Sequence, residues 1–199
     1  DVVKAQQHIA AALELQPDHA QAWALKGQIQ ERAGRPDEAV DAYHRAVSCE
    51  AADPEASLRL AALQIDHGHA ARTAQVLRGV IECPRATNEQ KSRAQWLLGV
   101  AYARMARWSE AIPALEQGAT GRSMTPDDGY LLAMARFRSG DMAGARRDVE
   151  RQLQANPGHN GFASLLADLD YVAAMQGDVM PAVNFVAPDD DRQIIAPLP

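Results

Sequence analysis

Residues 34–49 read Gly-Arg-Pro-Asp-Glu-Ala-Val-Asp-Ala-Tyr-His-Arg-Ala-Val-Ser-Cys. Gly34 punctuates the chain, Pro36-Asp37 opens a helix, and Ala39, Tyr43 and Ala46 then recur at helical spacing. The pattern returns along the sequence. Ala5, Ala39 and Thr73 stand 34 residues apart, and after four inserted residues Ala111 and Ala145 resume the same spacing. Gly34 and Gly68, then Ala106 and Gly140, keep the same phase. A fixed period of this length marks stacked supersecondary units. Each unit packs on its neighbours, so the core is continuous along the array.

Working outward from that stretch, helical periodicity predicts helices over 2–15, 20–33, 37–49, 54–67, 70–82, 91–105, 109–119, 127–139, 142–155 and 160–176. Pro17-Asp18, Pro84 to Gln90, the segment with Gly121 and Pro126, and Asn156-Pro157-Gly158 separate them. Residues 178–199 differ in character. They hold Pro181, Pro188, Pro197, Pro199 and the run Asp189 to Asp191, which predicts an extended tail or linker.

Composition fits close helix packing. The chain has 199 residues, 47% hydrophobic but only 5% aromatic, with net charge -6. No basic run provides a nucleic-acid footprint, and no apolar stretch reaches membrane-spanning length. Cys49 and Cys83 occupy the same phase of successive units, so they are expected as small buried hydrophobes rather than a disulfide. The histidines His8, His19, His44, His67, His69 and His159 are scattered, and only His67-Gly-His69 forms a close pair. That is too few ligands for a metal site. Asp37-Glu38 and Asp127-Asp128 sit at helix starts, where they favour the helix dipole. No phosphate-binding glycine loop is present, and no cofactor is expected.

With these residues in view, the chain resembles the tetratricopeptide repeat over residues 1–177. The resemblance rests on Trp23-Ala-Leu-Lys-Gly27, on Trp96-Leu-Leu-Gly99 with Tyr102, on Ala39, Tyr43 and Ala46, on Trp108-Ser-Glu-Ala111, and on Pro17 and Pro157. It implies an all-α, right-handed superhelical solenoid of antiparallel helix pairs. The units are a leading half unit (2–15), four full units (20–53, 54–91, 92–125 and 126–159) and a capping helix (160–177). Departures are mild: Ala61 and Ala133 replace the first-helix glycine, Thr73 replaces an alanine and Gln152 another small residue. Gly27, Ala61, Gly99 and Ala133 let paired helices approach, as do Ala39, Thr73, Ala111 and Ala145. Tyr43, Leu77, Leu115 and Val149 fill the remaining gaps.

The apolar stripe of helix 2–15 lacks a first-helix partner, which predicts further repeats upstream. Helix 160–176 carries Asp168, Asp170 and Gln176 among apolar residues, as a cap with a polar outer face would. In arrays of this family the first helix of each pair lines a concave trough. The lining positions carry Ala24, Leu58, Trp96 and Tyr130; Gln28, Ala62, Val100 and Met134; Glu31, Ile65, Ala103 and Phe137; and Arg32, Asp66, Arg104 and Arg138. The later units are the apolar ones. Trp96, Val100, Arg104, Tyr130, Met134, Phe137 and Arg138 are therefore the expected peptide-binding residues, of the types enriched at interface cores. The same aromatics equally suit packing between neighbouring helices. The Lys/Asn clamp with which some members hold acidic chaperone tails is missing from these positions.

The expected function is a non-catalytic scaffold for a protein or peptide partner. One alternative is an accessory segment of a larger glycosyltransferase-like enzyme or of a bacterial polysaccharide-secretion machine, which related repeats resemble. The other is self-association through the first helix or the tail, with Phe185-Val186 or Ile194-Ile195 docking in the trough. The Ala/Arg-rich, Lys-poor composition suggests a bacterial source, with cytoplasm and periplasm both open.

Overall fold

In a computed structural model, residues 2–49, 53–120 and 123–177 are described. Among them are ten α-helices and no strand: α1 (Val2–Leu15), α2 (Ala20–Arg32), α3 (Pro36–Ser48), α4 (Pro54–Asp66), α5 (Ala70–Glu82), α6 (Asn88–Arg104), α7 (Trp108–Ala119), α8 (Pro126–Ser139), α9 (Met142–Ala155) and α10 (Asn160–Gly177). Each helix packs mainly on the next in sequence, and the second-layer contact of α4 with α6 carries the stack forward. The architecture is the all-helical solenoid that the period implies.

Local chemistry fixes the helix starts. Pro36, Pro54 and Pro126 stand in the first turns of their helices, where a missing N–H costs nothing. Thr125 and Asp128 form a reciprocal capping box at α8. A second box corrects the sequence reading. The loop expected over 84–90 is shorter, because Thr87 Oγ1 accepts from the Gln90 N–H at 3.2 Å and Gln90 Oε1 accepts from the Thr87 N–H at 3.0 Å. These bonds satisfy orphan donors and start α6 at Asn88, giving it 17 residues.

The turn inside each helix pair is built alike. Gly34, Gly68, Ala106 and Gly140 have φ of 69°, 81°, 55° and 91°. The amide of the following residue, Arg35, His69, Arg107 or Asp141, donates back to Gln30, Gln64, Tyr102 or Arg136 at 2.8–3.0 Å. This left-handed closure satisfies carbonyls at the helix end and favours glycine. The second unit-specific feature is Thr73. It is fully buried, and its hydroxyl donates to the His69 carbonyl at 3.0 Å, with Gln64 Oε1 at 3.3 Å. The hydroxyl of this departure from alanine is thus satisfied.

Small-against-large packing holds each pair together. A Cβ on Gly27 would lie 2.6 Å from the Tyr43 ring, and one on Gly99 2.6 Å from Leu115 Cγ. Tyr43, Leu77, Leu115 and Val149 are fully buried. Burying such a side chain stabilises the fold by about 1.5–3 kcal/mol. Gln152 occupies a position held by Ala46 in the first unit. Gly129 makes room for it, since a Cβ there would meet Gln152 Nε2 at 2.6 Å.

Two expectations need adjustment. Cys49 and Cys83 are free, as expected, but only partly buried, because both lie at the ends of their helices where packing thins. Helix α10 buries Phe162, Leu165 and Leu169 and exposes Asp168 and Asp170, yet its outer side also exposes Tyr171 and Met175. Its outer face is therefore mixed rather than polar. On α1, Ile9, Ala12 and Leu13 are half-buried while Leu15 is 89% exposed. The tail over 178–199, with the docking expected of it, lies outside the described residues.

Candidate functional site on the first helices of the later pairs

The seven expected binding residues lie on α6 and α8, the first helices of the third and fourth pairs. Trp96 and Val100 are each 1% exposed and belong to the central core cluster with Leu97, Leu98 and Ala101. Gly118 on α7 allows this depth. A Cβ there would lie 2.4 Å from the Trp96 backbone nitrogen. Leu131, Leu132 and Ala135 of α8 pack against the same cluster, so α6 and α8 are joined through it.

Tyr130, Met134 and Phe137 belong instead to the C-terminal cluster with Phe162, Leu165 and Leu169. The Tyr130 ring meets Phe162 edge-on at 5.7 Å and lies 5.9 Å from His159. His159 caps α10 by accepting from the Phe162 N–H at 3.3 Å, and its Nε2 lies 3.2 Å from Asp127 Oδ1 on α8. Met134 and Phe137 are buried, and Tyr130 and Arg138 are half-buried. The five apolar residues among the seven thus fall into two groups rather than one patch. The aromatic positions share in inter-helix packing, which sequence spacing could not separate from groove lining.

With Arg32, Arg72, Arg85 and Arg147, Arg104 belongs to the described arginines that no ion pair engages. It ends α6, is exposed, and has no ion-pair partner among the described residues. By contrast, Arg136 is held between Asp148 and Glu116, and Arg146 reaches Asp170 at 2.6 Å. Arg107 pairs with Glu110 at 2.6 Å.

On the earlier units a charged ladder occupies the first helices, and the sequence reading did not assemble it. Tyr43 Oη donates to Glu31 Oε2 at 2.8 Å, and Arg59 bridges Glu31 at 3.3 Å and Glu55 at 3.2 Å. Arg93 then reaches Glu55 at 3.1 Å. The ladder links α2, α3, α4 and α6 and neutralises its own charges. Burial pushes the Tyr43 phenol well above its usual range, and the neighbouring Glu31 carboxylate adds to the shift. Spacing alone offered a signal only for Glu31, because the other members belong to three further helices. Among the described residues, no group of three or more His, Cys, Asp or Glu side chains could hold a metal ion, and no helix is long and apolar enough to cross a membrane.

Residues 3–57 match the family model described as tetratricopeptide repeat. The helix pairs, glycine-type turns and small-against-large contacts continue beyond that match to α10. Over residues 3–57 the chain matches the tetratricopeptide repeat, and the helices beyond them continue the same fold. Comparison with curated protein sequences gave no match. Several solved structures share the fold. A structure of PilF from Pseudomonas aeruginosa superposes with a TM-score of 0.67 at 16% identity, covering 88% of this chain and 78% of that one. YrrB, described as a tetratricopeptide-repeat protein with an unusual peptide-binding site, gives 0.68 at 16% identity, with 82% and 84% covered. PilW, described as a type IV pilus biogenesis factor, gives 0.65 at 17% identity, with 89% and 86% covered. At these identities the likeness is one of fold. Tetratricopeptide repeats form a family of protein–protein interaction scaffolds, generally without catalytic activity of their own.

Proposed function

We propose that this chain is a non-catalytic scaffold that binds a peptide or protein partner along the first helices of its third and fourth pairs. Arg104 carries the reading: an exposed guanidinium without a carboxylate partner among the described residues, at the end of the helix that holds Trp96 and Val100. Tyr130 and Arg138, half-buried, and Arg104, exposed, offer the accessible surface, while Trp96, Val100, Met134 and Phe137 are buried behind it and hold its shape. A partly apolar peptide bearing a carboxylate suits this order, with the carboxylate meeting the guanidinium fork. The self-neutralised ladder on α2 and α4 suits it less, since its charges are already engaged.

The test is capture of partners from the native extract with the wild-type chain and with Arg104→Glu. The substitution is at an exposed position and should leave the thermal midpoint unchanged. Partners lost from the variant support the reading. Equal recovery on both baits overturns it.

A further inference from the structure

A cleft of about 620 Å³ opens between α3 and α5 over α4, lined by Val47, Ser57, Arg72, Val76, Gly79 and Val80 among others. It lies apart from the α6 and α8 residues considered above. Its origin can be read by comparing the first two units at their 34-residue offset. In the first unit Trp23 stands at the offset position and, with Arg45, lines a smaller cleft of about 300 Å³. Its Nε1 donates to the Pro17 carbonyl at 2.8 Å, and the Arg45 guanidinium stacks on its ring at 4.8 Å. In the second unit Ser57 stands at the Trp23 position and Gly79 at the Arg45 position. Both large side chains are gone, and the cleft there is about twice the size of the first unit's.

Gly79 sharpens the point. A glycine inside a helix destabilises it relative to alanine unless close packing needs it. Gly27, Gly99, Gly118 and Gly129 each have a neighbour pressed against the missing Cβ, whereas Gly79 has nothing within 4 Å. Among the described residues no contact accounts for it, and its effect is to keep the cleft open. The floor is apolar, from Val47, Val76 and Val80. One wall is a fixed polar pair, Gln64 Nε2 donating to His44 Nε2 at 2.8 Å, with Gln64 only 4% exposed. On the rim Arg72 is exposed and has no ion-pair partner among the described residues. The volume is in the range of ligand pockets, and the lining has their mix of apolar floor and few polar groups.

We propose that this cleft is a second binding site, which takes an aromatic side chain of a partner peptide in the place where Trp23 sits in the first unit. A carboxylate next to that aromatic residue pairs with Arg72. The partner therefore carries an acidic–aromatic motif.

The probes are capped tripeptides, Asp-Trp-Asp, Asp-Ala-Asp and Lys-Trp-Lys, titrated into the full ¹⁵N-labelled chain. Asp-Trp-Asp should shift the Gly79 amide and the Gln64 side-chain amide saturably. Asp-Ala-Asp should bind about tenfold more weakly or worse, as expected on losing an aromatic anchor. Arg72→Glu should reverse the preference between Asp-Trp-Asp and Lys-Trp-Lys. A Ser57→Trp/Gly79→Arg double variant, which restores the first unit's own pair, should melt as the wild type does and lose the response. Gly79→Arg alone serves the same purpose if the double variant folds poorly. The proposal is overturned if the cleft resonances do not move, if tryptophan and alanine peptides act alike, or if the response survives refilling. Shifts confined to α6 and α8 would also overturn it while favouring the other face. The Arg104→Glu chain should answer the probe like the wild type, so failure of either site is separately visible.

Discussion

At the scale of single residues, position within the repeat dictates which substitutions matter. Ala106 takes φ of 55° at a turn where its three equivalents are glycine. A left-handed alanine costs about 1–2 kcal/mol in the folded state, partly offset by the greater freedom of an unfolded glycine chain. Ala106→Gly should therefore raise stability by about 0.5–1 kcal/mol, measured by urea denaturation. Leu115 is fully buried against Gly99, and Leu115→Ala should cost about 2–5 kcal/mol in the same assay. The period alone flagged Ala106 and Leu115 as special positions. It could not tell which of them carried backbone strain, because φ depends on how the next helix is docked.

At the scale of the helices, electrostatics joins units that small-residue contacts only align. The ladder Glu31–Arg59–Glu55–Arg93 spans three first helices, but its members are partly exposed and screened. Arg93→Ala should thus change stability by no more than about 1 kcal/mol. Tyr43 is the buried member. Its phenol is raised above the ordinary value of about 10, so the neutral form is favoured by folding. Its stabilising effect is complete below the unfolded-state value and is lost as pH rises through the folded-state one. Wild-type stability should accordingly fall on the alkaline side of about pH 10, and Tyr43→Phe should flatten that fall. A pH series of thermal melts decides it; equal slopes in both proteins would refute the assignment. The sequence named Tyr43 as a space-filling residue. Its hydroxyl partner 12 residues upstream, and the α6 arginine at the end of the ladder, emerge only when successive pairs stack.

At the scale of the whole molecule, the surface is uneven. The Glu31–Arg59–Glu55–Arg93 ladder engages its own charges, whereas Arg104 and Arg72, like Arg32 of α2, stand exposed without ion-pair partners among the described residues. The two proposed partner-facing regions lie on different helices, one at α6 and α8 and one between α3 and α5. A partner using the α6 and α8 face should bind more weakly as salt rises, because its carboxylate contact with Arg104 is solvent-screened. Titration of a captured partner between low and physiological ionic strength measures this. Affinity independent of salt would argue against a charged border.

The sequence by itself determined the solenoid. A 34-residue period of small residues admits only helix pairs stacked at a fixed offset, and the helix limits follow from Gly, Pro and acidic first turns to within a few residues. Even the capping box at Thr87 was present in the letters, though it was hidden inside an apparently polar loop. Which face each aromatic residue serves was decided by the tertiary structure. Trp96 and Tyr130 share a phase, yet one sits in the central cluster and the other stacks on Phe162 and His159. The reason is that a helix places a residue on a side, while neighbouring helices decide whether that side meets solvent, core or a cleft. Ser57 and Gly79 show the same limit, since an absent side chain becomes a cavity only when nothing else packs into its place.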